Sequence, residues 1–148
     1  MTVIVLALGI SACAETDAAA TRNAYVRELN AAQEQLVRAA TEVQGAITEA
    51  SSVRQDRRTL VRYGAAVGGL VKTLRNVTVP ANAGPEHATL VAALAEFRTE
   101  ITAIVIVLRS STTRAIDDAA RRLAEATKTF DTKLGASISA INRKLQES

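Results

Sequence analysis

The fold is decided by residues 90–108, which read LVAALAEFRTEITAIVIVL. Large apolar side chains recur there at intervals of three and four residues, the spacing of one helix face: Leu90, Leu94, Phe97, Ile101, Ile104 and Leu108. The second half of the stretch is β-branched and apolar nearly all round, which on composition alone would also suit a strand. Because the helical spacing is unbroken from Leu90, we predict a helix. Its additional apolar residues Ile106 and Val107 indicate the most buried helix of the protein.

Three further stretches show the same spacing, with charged residues opposite an apolar stripe. We predict helices from Thr21 to Ala50, from Ser52 to a point before Pro80, and from Thr113 toward the C-terminus. Their stripes are, in order, Val26, Leu29, Leu36, Ala40, Val43, Ile47 and Ala50; Leu60, Tyr63, Val67, Leu70, Leu74 and Val77; and Ile116, Ala120, Leu123, Thr127, Phe130, Leu134, Ile138, Ile141 and Leu145. In the second helix, a small-residue face predicts close approach of a neighbouring helix: Gly64, Gly68 and Gly69.

Short polar segments separate these helices. Ser52 and Gln55 form a capping box at the start of the second helix, and Thr113 is the predicted cap of the fourth. The clearest linker is Pro80–Gly84, whose Gly84 is the predicted cap of a third helix with Pro85 in its first turn. Four amphipathic helices with short connections predict an all-α fold, an up-down antiparallel four-helix bundle over residues 21–148.

The composition agrees with helices packed through aliphatic side chains. Hydrophobic residues make up 48% of the 148 residues, although the chain has no Trp, two Tyr and two Phe. The single Cys excludes an intramolecular disulfide and any zinc site built on several thiolates. A formal charge of +3 is too small to identify a partner.

An apolar run near the N-terminus ends in the only cysteine of the chain. The run Val3–Ile10 is followed by Ser11, Ala12 and Cys13. About eight apolar residues suit the core of a signal peptide but not a membrane-spanning helix, which needs roughly 20. The residues before Cys13 match the lipobox of bacterial lipoproteins, in which the cysteine thiol accepts a diacylglycerol group. We predict a signal peptide over residues 1–12, cleavage between Ala12 and Cys13, and lipidation of Cys13.

Residues 13–20 then hold the lipidated cysteine and a tether without large side chains, whose C-terminal end can join the first helix. One feature departs from a usual signal peptide, because only Met1 and Thr2 precede the apolar run where Lys or Arg is common. The alternative interpretation is an uncleaved cytosolic interaction module, in which the N-terminus is a packed helix with a free core cysteine. The sequence leaves both interpretations open.

The sequence contains no recognisable catalytic constellation. His87 is the only histidine and falls on the stripe of the third helix, one turn before Leu90. A di-iron bundle would need Glu-x-x-His motifs, which this chain lacks, and no Walker, dinucleotide or nucleophile-elbow pattern is present. We therefore predict a protein that is not an enzyme and has no metal or cofactor, with His87 in a structural role at the end of the bundle. A metal-binding or proton-handling role of His87 is the second alternative.

Positive charge is concentrated on the second helix, which has a single acidic residue, Asp56. Its six cations are Arg54, Arg57, Arg58, Arg62, Lys72 and Arg75. Arg54, Arg58 and Arg62 are spaced by four and share a face. No aromatic residues alternate with them to stack bases, which is unlike a nucleic-acid surface. We predict a solvated face, paired in part with acidic residues of the first helix: Glu28, Glu34, Glu42 and Glu49. The alternative is contact of Arg54, Arg58 and Arg62 with anionic lipid head groups or envelope polymers, each cation near the surface contributing about 1 kcal/mol.

Taken together, these features resemble uncharacterised lipoproteins of high-GC Gram-positive, actinobacterial-type bacteria. The shared segments are the lipobox, Tyr25-Val26, Asn30-Ala31-Ala32-Gln33, Gln55-Asp56-Arg57-Arg58-Thr59-Leu60, the linker at Pro80 leading to His87-x-x-Leu90-Val91, and Ile138 to Leu145. Such proteins usually have Pro-Pro where this chain has Val79-Pro80. The resemblance implies location and fold but no activity.

From these observations we expect a cell-envelope lipoprotein, anchored through its N-terminal lipid on the extracytoplasmic face of the membrane. We expect a non-enzymatic helical bundle that binds a partner or has a structural part there. Its partner would be a protein or an anionic envelope polymer.

Overall fold

The computed structural model describes residues 17–147, which form four α-helices and one short 3-10 helix. The helices are α1 (Asp17–Ala46), α2 (Val53–Arg75), α3 (Gly84–Val107) and α4 (Thr113–Gln146), with the 3-10 turn Ala81–Ala83 between α2 and α3. The predicted all-α fold is confirmed, and residues 101–107 are helical rather than extended.

The helices run alternately up and down, as predicted. At one end of the bundle, Tyr25 at the start of α1 contacts His87 at the start of α3, and His87 contacts Leu74 near the end of α2. Asn82 of the 3-10 turn binds the carbonyl of Lys144 near the end of α4. We call this the near end, and the other the far end. The first described residue, Asp17, therefore lies at the near end.

The core is aliphatic, with α3 at its centre. α3 packs mainly against α4 and α2, whereas α1 packs mainly against α2. The largest fully buried side chains come from all four helices: Tyr25, Leu60, Leu74, Ile101, Ile104, Ile141 and Val67. Three of the four aromatic residues are grouped, because Phe97 stacks on Phe130 at 4.3 Å between ring centroids and meets Tyr63 edge-on at 5.8 Å. Aliphatic contacts thus supply most of the buried surface.

The second half of α3 is buried on one side only. Ile104 is 1% exposed, but Ile106 is 54% exposed. Of the two off-stripe residues behind the prediction that α3 is the most buried helix, Ile106 is therefore exposed and Val107 is half-buried. α3 has packing partners on the α2 and α4 sides, so the remaining side of the helix meets solvent.

Helix α1 occupies a slightly earlier stretch than the predicted Thr21–Ala50. It begins at Asp17, so part of the expected tether continues the helix; alanine-rich sequence favours helix, and an acidic residue suits the first turn. It ends at Ala46, because the hydroxyl of Ser51 bonds the backbone N–H and carbonyl of Thr48. Such local bonds compete with helix continuation.

Two of the predicted caps need correction. Ser52 caps α2 as predicted, accepting a hydrogen bond from the backbone N–H of Gln55 at 3.4 Å. In contrast, α4 is capped by Thr112, whose hydroxyl accepts from the N–H of Ala115 at 3.2 Å, so Thr113 is the first helical residue. Gly84 is likewise the first residue of α3 rather than its cap, because the 3-10 turn ends at Ala83 and the helix follows it directly.

Candidate functional site

The cations of α2 line one side of the bundle. At 3.6 residues per turn, they fall within an arc of about 140° on the helix circumference. The row extends from Arg54, near the far end, to Arg75 at the near end, a distance of about 30 Å at 1.5 Å per residue. The three predicted residues Arg54, Arg58 and Arg62 are all exposed and occupy its far half.

A further cation, from α3, joins this row in the middle. The side chain of Arg98 lies against Gly68, where an added Cβ would come within 2.8 Å of Arg98 Nε and 3.1 Å of Cζ. Gly64, one turn earlier, faces Ile101 at 3.3 Å, so the predicted close approach of a neighbouring helix is confirmed at both positions. Gly69 has no such neighbour within 4 Å. We call the combined set the α2 basic surface: Arg54, Arg57, Arg58, Arg62, Lys72, Arg75 and Arg98.

No member of the α2 basic surface forms an ion pair within residues 17–147. The single acidic residue of α2, Asp56, accepts a hydrogen bond from Ser51 at 2.6 Å. The expected pairing with the acidic residues of α1 is not found in this part of the chain; Glu34 pairs within α1 with Arg38 at 3.7 Å. The positive charges of the surface are therefore not neutralised by neighbouring carboxylates.

The middle of the α2 basic surface is built from small side chains. Ala65, Ala66 and Gly69 are exposed between Arg62 and Lys72. Because the side chains between them are small, the long side chains of Arg62 and Lys72 can contact the same flat surface of a partner. The surface suits contact with a broad anionic partner, because its charges are distributed along a line of about 30 Å.

His87 occupies the position predicted for it, at the near end, and is buried at 7% exposure. Its Nε2 lies 3.0 Å from the carbonyl oxygen of Leu74, and its Nδ1 lies 3.0 Å from the hydroxyl of Tyr25. A carbonyl oxygen only accepts, so Nε2 carries the hydrogen and donates. In the neutral ring Nδ1 is then the acceptor, and Tyr25 donates to it.

The Tyr25–His87 contact joins three helices through two buried hydrogen bonds. Burial, with a smaller contribution from the negative charge of Glu86, raises the pKa of Tyr25 to about 12. The tyrosine therefore holds its proton at neutral pH. Neither ring nitrogen of His87 is free for a metal in this geometry, and no group of three or more His, Cys, Asp or Glu side chains among residues 17–147 is arranged to hold one. The contact is a structural link between α1, α2 and α3.

The residues predicted for lipidation and cleavage, Cys13 and Ala12, lie outside the described residues, so the lipidation and the cleavage stay predictions. Within residues 17–147, no helix has the length and hydrophobicity needed to cross a bilayer. Comparison with protein-family models, with curated proteins and with solved structures finds no match to this chain. The resemblance to actinobacterial-type lipoproteins consequently stays a prediction from the sequence.

Proposed function

We propose that this protein is a lipid-anchored, non-enzymatic bundle of the cell envelope whose α2 basic surface lies on the anionic outer face of the membrane that holds its lipid. The observation that carries the proposal is the α2 basic surface itself, a row of seven cations without ion-pair partners among the described residues. The lipobox ending at Cys13 supplies the anchor.

The position of the near end supports a bundle lying along the membrane. Asp17, the first residue of α1, is four positions after Cys13, so the near end stays close to the attachment point. An upright bundle would bring only the near-end cations Lys72 and Arg75 to the head groups. A bundle lying on its α2 side brings the whole row within reach.

The energies involved allow the two attachments to cooperate. Acyl chains contribute about 0.8 kcal/mol for each methylene buried in the bilayer. A cation close to an anionic surface adds about 1 kcal/mol and loses effect beyond a Debye length. The lipid would hold the protein on the membrane, and the α2 basic surface would set its orientation.

The anchor is tested by replacing Cys13 with Ala in the full chain. We expect the wild type to partition into the detergent phase and its mature N-terminal peptide to carry the mass of a lipidated Cys13. The C13A protein should be released or mislocalised. A soluble wild-type protein with Met1 as its detected N-terminus would overturn the anchor and favour the cytosolic alternative.

The surface is tested with protein beginning at residue 14, which contains all four helices but no lipid. We expect binding to vesicles of phosphatidylglycerol and not of phosphatidylcholine, and weaker binding as salt is raised. Changing Arg54, Arg58 and Arg62 together to Gln should lower the affinity on the order of 100-fold, at about 1 kcal/mol per cation.

The matched control changes three cations of α4, Arg121, Arg122 and Lys128, to Gln, which alters net charge equally. This control should keep most of the vesicle binding. If the two triple variants lose vesicle affinity equally, net charge alone explains the binding. That result would overturn the proposal that the α2 basic surface is the membrane-binding face. Binding to soluble polyglutamate but not to vesicles would instead favour an anionic polymer as partner.

A further inference from the structure

A narrow apolar cleft lies between α1 and α4. Its walls are Leu29 and Leu36 of α1 and Leu134 and Ile138 of α4, and Leu74 and Leu94 are among the residues at its base. No charged residue lines the cleft. It extends for about 10 Å along the helices, the length of the two turns from Leu29 to Leu36.

The cleft exists because α1 and α4 do not close on each other. Close backbone contacts link α1 to α2, α2 to α3 and α3 to α4, whereas those between α1 and α4 are few. As a result, Leu29, Leu134 and Ile138 remain only half-buried although they belong to the apolar stripes of their helices. The bundle thus has one loosely packed seam.

Three carboxamides lie along the same cleft: Asn30, Gln33 and Asn142. All three side chains are half-buried, and none makes a hydrogen bond to another side chain or to the backbone within residues 17–147. Binding sites for small molecules commonly combine apolar walls with a few polar groups that orient the ligand. Carboxamides both donate and accept hydrogen bonds without charge, so they suit a neutral hydroxyl or ester group.

We propose that the α1–α4 cleft binds a neutral amphiphile with one unbranched alkyl chain, of which a monoacylglycerol is the simplest form. The alkyl chain would lie between the leucines of α1 and α4, and the glycerol and ester oxygens would bond to the three carboxamides. The aliphatic walls contain no cation to hold a carboxylate, which favours a neutral ligand over a free fatty acid. The site depends neither on the lipid at Cys13 nor on the α2 basic surface, so it goes beyond the proposed function.

Entry of an alkyl chain requires movement of α1 away from α4. The cleft offers a space of about 40 Å³, well below the roughly 150 Å³ of an apolar cavity that binds benzene. A polar contact that joins the two helices lies at the near end, where Arg22 donates to the carbonyl oxygen of Leu145 at 3.4 Å. Movement of α1 away from α4 breaks few close backbone contacts between these two helices. The alkyl chain of the ligand then covers the leucine side chains that this movement exposes.

The test titrates protein beginning at residue 14 with monobutanoyl-, monohexanoyl- and monooctanoylglycerol below their micelle concentrations, and calorimetry measures the binding. We expect saturable binding with one site. Each pair of added methylenes should increase the affinity about 15-fold until the cleft is filled, from about 0.8 kcal/mol per buried methylene. Octanoic acid should bind more weakly than monooctanoylglycerol.

The variant Ala32→Leu fills the cleft from α1, because Ala32 is one of its lining residues. Its matched control is Ala39→Leu, seven residues later on the same helix, at a half-buried position that does not line the cleft. We expect A32L to abolish binding and A39L to preserve it, with the helical content of both checked by circular dichroism.

A second variant keeps the test informative if A32L fails to fold. Asn142→Ala removes one carboxamide without adding volume, and should lower the affinity about fivefold, the usual effect of losing one hydrogen bond. Absence of saturable binding by the wild type, or unchanged affinity in N142A, would overturn the proposal. Saturable binding by the protein that begins at residue 14, but not by the uncleaved chain that keeps residues 1–13, would show that the chain's own apolar run occupies the cleft. Binding coupled to dimer dissociation would assign the cleft to a second copy.

Discussion

The guanidinium group of Arg98 lies against Gly68, with Nε 2.8 Å from the position that a Cβ of residue 68 would take. Through this contact a cation of α3 enters the row formed by α2. The absence of a side chain at residue 68 is what gives Arg98 its place, because any Cβ there would require the guanidinium to move.

This contact predicts different effects of alanine at two adjacent glycines. Gly69 has open space around it, so Gly69→Ala should stabilise the protein by about 1 kcal/mol through helix propensity alone. Gly68→Ala should stabilise it less, because Arg98 must adopt another rotamer. Both Gly68→Ala and Arg98→Gln should weaken binding to phosphatidylglycerol vesicles. Urea denaturation measures the stabilities. Equal vesicle binding by G68A and G69A would contradict a role of Arg98 in the α2 basic surface.

The capping of α4 predicts a contrast between two adjacent threonines. Thr112 accepts the hydrogen bond from Ala115, so Thr112→Ala should destabilise the protein by about 1 kcal/mol. Thr113→Ala should be neutral or slightly stabilising, because alanine is the better residue inside a helix. Thermal denaturation of the two variants measures the difference. A larger loss of stability in T113A than in T112A would show that Thr113 is the cap.

The Tyr25–His87 hydrogen bond predicts a cost for removing one hydroxyl. Tyr25→Phe leaves the buried Nδ1 of His87 without its donor and should destabilise the bundle by about 1–3 kcal/mol. Tyr63→Phe is the matched control, because no hydrogen bond of its hydroxyl is found within residues 17–147. Chemical denaturation of both variants separates the two roles. Similar stabilities of Y25F and Y63F would show that the bond contributes little.

The two tyrosines also predict loss of stability in alkali. Burial raises the pKa of both Tyr25 and Tyr63 to about 12, with smaller contributions from Glu86 and Asp131 respectively. Above pH 10 the unfolded chain releases phenolic protons that the folded chain retains, so stability should fall as pH rises from 10 to 12. Complete ionisation of both would cost up to about 3 kcal/mol for each tyrosine.

Phenolate absorbance follows this transition directly, because the chain contains no other tyrosine and no tryptophan. Phenolate should appear together with loss of helical circular dichroism. Phenolate absorbance that develops near pH 10 in a fully helical protein would contradict the burial of the two hydroxyls.

Much of the fold was predictable because helix formation and helix order depend on local pattern. The unbroken spacing from Leu90 identified α3 as a helix, and the short connections fixed the alternation of direction. The caps were less predictable: Ser110, Ser111, Thr112 and Thr113 are adjacent residues of similar capping preference. Only the backbone geometry at Thr112 distinguishes one of them.

The candidate site was predictable only in part, for a similar reason. Arg54, Arg58 and Arg62 belong to one helix, so their spacing of four places them on one face. Arg98 is 30 positions after Gly68, and no periodicity connects the two. The absence of ion pairs across α1 and α2 likewise depends on how the two helices are rotated about their axes.

The sequence by itself determined the four helices, their antiparallel order, the concentration of cations on α2 and the cysteine that defines the proposed anchor. Each is a property of residues within about one helix length of one another. Tertiary structure decided the entry of Arg98 into the α2 basic surface, the Tyr25–His87 link between residues 62 positions apart, and the open seam between α1 and α4. These depend on the rotation and separation of whole helices, which the packing of all four side-chain stripes determines together.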